Sequence, residues 1–136
     1  MLNPEKDGYV YYYTRGLSMW PTFIPHDILR TVRISSSELE PGDIVVLPER
    51  NGKQIIHRIL SRKKVSEESL LLFTAGDRSN EDPPTRIGKE EDILIVNGVL
   101  RNRKWRVPRR KLFSISSRLP NLLVKLHCGI VKKFFW

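Results

Sequence analysis

The sequence is poor in cysteine, in histidine and in apolar runs of membrane-spanning length, and it has no acid at all after residue 100. Its one cysteine is Cys128, so no disulfide forms within the chain and a reducing compartment suits it. The opening residues, MLNPEKDGYVYYY, place charges where a secretory leader carries its apolar stretch. No cysteine–histidine cluster with metal-ligand spacing and no glycine-rich phosphate loop occurs, so no cofactor is expected. The histidines are His26, His57 and His127, which narrows the choice of a general base to three.

What remains is a chain of 136 residues, enough for one modest core. Hydrophobic residues make up 40% and charged residues 29%, as in a globular domain. The net charge of +9 is unevenly spread. Residues 1–100 carry 13 Lys+Arg and 15 Asp+Glu, whereas residues 101–136 carry 11 Lys+Arg and no acid. A near-neutral body with a basic tail points to an anionic partner for the tail, a lipid surface or nucleic acid.

The body reads as β. Tyr9–Tyr13, Ile28–Ile34, Asp43–Pro48, Gln54–Leu60, Ser69–Ala75, Ile93–Asn97 and Val99–Val107 are short runs rich in β-branched and aromatic residues. Pro41-Gly42 suits the centre of a type II turn. Asn51-Gly52 predicts a hairpin. Asn97-Gly98 marks either another hairpin or a bend within one strand. Residues 76–92 read as a long polar loop. With no βαβ alternation, the expected fold class is all-β (mainly β), a distorted barrel or sandwich over residues 1–115.

The period changes near the end. Leu122, Leu123, Leu126, Ile130 and Phe134 recur at helical spacing, so residues 116–136 are expected to be a basic amphipathic C-terminal helix. Lys125, Lys132 and Lys133 interrupt it too often for a transmembrane span. They suit anionic headgroups, and the apolar stripe suits the acyl boundary. Packing of that stripe on the β body is the competing expectation, and nucleic acid is the weaker third partner.

The stretch RGLSMWPTFIPHD holds Ser18 between stiffening prolines. A serine nucleophile needs a base within hydrogen-bond reach and donors for the oxyanion. His57 lies in a strand, IIHRI, which gives a base a rigid mount. A strand histidine is also commonly a core side chain satisfied by a carbonyl. Asp77 and Asp82 lie in the polar loop, where aspartates commonly make turns, yet a carboxylate on one imidazole nitrogen fixes the tautomer. Asp82 is the preferred partner, because Asp77 ends a strand directly after Gly76.

Four motifs then appear in order: GLSMWPTF, PGDIVVL, IIHRIL and FTAGDRSNEDPP. Together they resemble the type I signal peptidase family, most closely its serine–histidine branch of archaea, some Gram-positive bacteria and the endoplasmic reticulum. The likeness spans about Arg15 to Asp82. It implies a catalytic core of coiled antiparallel sheets, Ser18 as nucleophile and His57 as general base. It also implies that Asp82 or Asp77 orients His57. The activity implied is a serine endopeptidase that cleaves a signal or leader peptide with small residues at the cleavage site. The resemblance also puts Met19, Trp20 and Phe23 on a rim near lipid, and the equal alternative is that each is an ordinary core residue.

Three departures stand out. Gly16 occupies a place where the family often has a serine that helps bind the oxyanion, so backbone N–H groups must take that role. His26-Asp27 replaces the usual Gly-Asp. No apolar segment precedes Ser18, so the resemblance is to a short form lacking an N-terminal membrane anchor. Peripheral membrane association through the tail is therefore expected, with the cytoplasm as the alternative. Two other readings stay open. One is a self-cleaving repressor of related fold, which a histidine base disfavours. The other is a non-catalytic signal-peptidase-like binding module with a basic tail for membrane or nucleic acid.

Overall fold

The computed structural model describes residues 8–48 and 52–108. The expected helix of residues 116–136, with Lys125, Lys132 and Lys133, lies outside the described residues. Eight strands follow in chain order: β1 (Val10–Tyr13), β2 (Ile28–Ser35), β3 (Ile44–Pro48), β4 (Gln54–Ser66), β5 (Ser69–Ala75), β6 (Thr85–Gly88), β7 (Asp92–Arg101) and β8 (Lys104–Arg106). A 3₁₀ turn at Ser36–Glu38 follows β2. The protein is mainly β, and every pairing is antiparallel.

All eight strands join one sheet in the order β1-β2-β7-β3-β4-β5-β6, with β8 also on β7. Among the described residues the path has two ends, β1 and β6, which do not pair with each other. Strand β7 is its axis. One edge of β7 takes β2, and the other takes β3 at Leu94–Ile95 and then β8 at Val99–Arg101. Asn97-Gly98 is not a hairpin. It lies inside β7, where the register against β2 skips Asn97, a β-bulge. The extra residue turns its Oδ1 to the Nε–H of Arg30, 3.0 Å away. The β7–β8 hairpin instead turns at Asn102 and Arg103, both at positive φ (55° and 62°). That geometry matches a type I′ turn, whose twist suits a two-residue hairpin.

The expected turn at Pro41-Gly42 is present. Gly42 has φ 95°, and the N–H of Asp43 donates to the Glu40 carbonyl at 3.1 Å. Strand β3 is buried at Ile44, Val45, Val46 and Leu47, which explains its unbroken apolar run. Val45 and Leu47 join one cluster with Leu39, Ile59, Leu72 and Ile87. Ile44 joins the other with Met19, Phe23, Leu29 and Val96. Alternate residues of a strand point to opposite faces, so β3 is shared by two cores.

Met19 and Phe23 are 5% and 2% exposed. They are core side chains, the second of the two expectations, and not part of a rim. Each contributes roughly 1.5–3 kcal/mol by burial. They root the β1–β2 loop in the second core.

Candidate active site

The β1–β2 loop, residues 14–27, is closed at its neck. The N–H of Thr14 donates to the Asp27 carbonyl at 3.0 Å, and the N–H of His26 to the Thr14 carbonyl at 2.8 Å. Thr14 Oγ1 adds a bond to the Ile24 carbonyl at 2.6 Å. The fully buried Asp27 carboxylate accepts the Ile24 N–H at 2.9 Å and two N–H groups of Arg101, at 2.9 and 2.6 Å. His26 stands at φ 77°, in the left-handed region that glycine adopts most readily. The His26-Asp27 departure thus falls where backbone geometry favours glycine, and histidine accepts the strain.

Within this loop the N–H of Trp20 donates to the Leu17 carbonyl at 3.1 Å, and that of Phe23 to Met19 at 2.9 Å. Ser18 opens the turn. Its Oγ lies 3.2 Å from Nε2 of His57. His57 is 9% exposed on β4, opposite Val45 of β3. Its Nδ1–H donates to Asp82 Oδ2 at 2.5 Å. An ionised carboxylate can only accept, so the Nδ1 proton is placed by Asp82 and Nε2 is left as the acceptor for the serine hydroxyl. Chemically this is a chain along which a proton can leave Ser18 for the imidazole.

Asp82 is itself held by Thr74, a fully buried residue of β5. Thr74 Oγ1 donates to Asp82 Oδ2 at 2.8 Å, and the Asp82 N–H donates to the Thr74 carbonyl at 2.8 Å. Thr74 escaped sequence reasoning. Its only signal is a hydroxyl in an otherwise apolar strand.

Asp77 goes elsewhere. The Nε–H and an Nη2–H of Arg58 donate to its Oδ1 and Oδ2 at 2.7 and 2.8 Å. Both side chains are fully buried. Arg58 also donates to the Gly42 carbonyl at 3.0 Å, and Thr22 Oγ1 donates to Asp77 Oδ2. His57 and Arg58 are consecutive on β4 and point to opposite faces. The two loop aspartates are divided between them. One orients the imidazole, and the other ties the β5–β6 loop and Thr22 to the strand beneath.

Gly76 completes the fastening. The N–H of Arg78 donates to the Ser18 carbonyl at 2.8 Å. A Cβ on Gly76 would lie 2.5 Å from that carbonyl oxygen and 2.9 Å from Ser18 Cβ. Only a residue without a side chain lets the loop close on the serine.

A cleft of about 880 Å³ opens beside Ser18. It is lined by Tyr12 to Gly16 and by Ser18, Met19 and Phe23 of the β1–β2 side, and by Lys53 to His57. Strand β4 pairs with β3 through Gln54–Arg58, but its pairing with β5 begins only at Arg58. Among the described residues the second edge of Gln54–His57 is therefore an open ladder beside the base. Among the same residues no group of three or more His, Cys, Asp and Glu side chains could hold a metal. No helix there is long and apolar enough to cross a membrane. The chain matches no protein-family model, no curated protein and no solved structure.

Proposed function

We propose that the protein is a serine endopeptidase of the signal-peptidase type, acting on an extended segment of another polypeptide. The observation that carries this reading is the chain Ser18 Oγ–His57 Nε2 at 3.2 Å and His57 Nδ1–Asp82 at 2.5 Å, opening on a cleft with an unpaired strand edge. An unpaired edge can take a peptide as an added strand, whose main-chain hydrogen bonds hold the scissile bond in place.

In this mechanism Ser18 Oγ attacks the peptide carbonyl carbon while its proton passes to His57 Nε2. Asp82 stabilises the imidazolium. Backbone N–H groups of the Gly16–Ser18 segment take the oxyanion. The tetrahedral intermediate collapses, the C–N bond breaks, and the leaving amine takes the proton from His57. Water, deprotonated by the same imidazole, then hydrolyses the acyl ester and returns the proton to Ser18. The coiled-sheet core of that family and peripheral attachment through the basic tail belong to the same proposal.

The second reading is a binding module that no longer cleaves. Gly16 favours it, since it lacks the oxyanion hydroxyl. Reaction with a fluorophosphonate or a peptidyl aldehyde, followed by mass spectrometry, tests the choice. Adduct on Ser18, absent in Ser18→Ala, together with peptide cleavage supports the peptidase. No adduct and no cleavage from a folded chain supports the module.

A further inference from the structure

We infer that the cleft selects peptides bearing an acidic side chain about four residues from the bond at Ser18. This rests on the peptide-docking part of the proposal above. Two full cations, Arg15 and Lys53, line the cleft, and among the described residues no carboxylate does. Both are exposed, and neither forms an ion pair with an acid of the described residues. By contrast Arg58 and Arg101, close by in the fold, are each neutralised by a buried aspartate. The cleft cations are the ones left for a ligand.

Position follows from the strand. Lys53 directly precedes β4, four residues before His57. At the rise of an extended chain it stands roughly 13 Å from the base. A peptide added to the open edge rises at the same rate, so its fourth residue from the scissile bond, toward the β3–β4 turn, comes abreast of Lys53. Arg15, three residues before Ser18, also lines the cleft. An Asp or Glu at that place would meet the positive charge of the cleft. A Lys would meet two like charges.

The test uses fluorescent peptides of small uncharged residues that differ by one Asp, Asn or Lys, placed three to five residues from the intended bond on either side. Binding is read by anisotropy on Ser18→Ala, which removes turnover. At low salt the best Asp peptide is expected to bind about three- to tenfold tighter than its Lys counterpart, the range two exposed ion pairs allow. High salt should shrink that ratio. Arg15→Glu with Lys53→Glu should reverse it, in a chain whose circular dichroism is unchanged. Equal binding of Asp and Lys peptides, no binding of either, or a ratio untouched by the double charge reversal overturns the inference. So does an oligonucleotide that binds the cleft more tightly than any acidic peptide. Cleavage of the same peptides by the unaltered chain is a separate arm. Cleavage with no charge preference overturns the inference and leaves the peptidase. Charge preference in binding with no cleavage supports the inference and overturns the peptidase.

Discussion

A serine hydroxyl is a poor nucleophile until a base takes its proton, and His57 Nε2 stands 3.2 Å from Ser18 Oγ. Ser18→Ala and His57→Ala should each abolish peptide cleavage, and the double variant should lose little more, because the pair acts as a unit. Turnover retained by purified Ser18→Ala would defeat the mechanism. Asp82→Asn should cost about 10²–10⁴ in kcat, since an amide can bond the wrong tautomer. Gly16 offers a test in the opposite direction. A Cβ there meets nothing within 4 Å, so serine fits without displacing a neighbour. An added oxyanion donor is worth about 10²–10³ when well aimed, so Gly16→Ser should raise kcat by tenfold or more. An unchanged or lower kcat would show that this hydroxyl does not reach the oxyanion.

Three elements hold the reacting groups in register. The β1–β2 loop carries Ser18, β4 carries His57, and the β5–β6 loop carries Asp82. Two fastenings join them. The first is the Arg58–Asp77 pair with Thr22, buried where the loops meet β4. Removing one member leaves an uncompensated buried charge, so Arg58→Met or Asp77→Leu should lower the unfolding free energy by about 3–5 kcal/mol in urea titration. Replacing both at once should recover much of that loss. The contrast with Asp82 is sharp: Asp77 substitutions should act mainly on stability and Asp82→Asn mainly on kcat. The second fastening is the approach of Gly76 to the Ser18 backbone. Because the added methyl would meet the Ser18 carbonyl as well as the Ser79 hydroxyl, and a carbonyl cannot swing aside, Gly76→Ala should cost about 1–3 kcal/mol and displace Ser18 enough to suppress cleavage. Wild-type stability and rate in Gly76→Ala would show that the loops need not touch.

At the scale of the molecule, the surplus charge and the candidate site are separated along the chain. The Ser18–His57–Asp82 chain lies in the part that is nearly balanced, and the surplus of positive charge begins at Arg101. We propose that this surplus brings the protein to anionic lipid, with Lys125, Lys132 and Lys133 facing headgroups at about 1 kcal/mol each. The full chain should co-sediment with vesicles containing anionic lipid, less so as salt rises, and a chain ending at Leu119 should bind much less. Equal binding by both chains, or none by either, would rule out an anchoring tail.

Much of the fold was legible because it rests on local chemistry. Apolar runs marked β2, β3 and β5 nearly residue for residue, and Pro41-Gly42 marked its turn. What escaped lacks a local signal. The outer half of β4, from Ser61 to Ser66, is exposed throughout, so it shows no alternation and exists because its backbone pairs with β5. Strand β6 has a single buried apolar side chain, Ile87, in a polar stretch. Asn97-Gly98 looks like a turn in isolation but is stretched into a bulge by strands on both sides of β7. The candidate site divides in the same way. By itself the sequence determined which groups could do chemistry, Ser18, His57, Asp77 and Asp82, since residue type and motif order are one-dimensional facts. Only the tertiary structure decided that Asp82 bonds His57 while Asp77 bonds Arg58, that Met19 and Phe23 are core, and that Thr74 and Gly76 hold the site together. Hydrogen bonds of a few ångströms between residues up to 79 positions apart, as from Arg101 to the Thr22 carbonyl, depend on how the strands are ordered, which no single stretch of sequence contains.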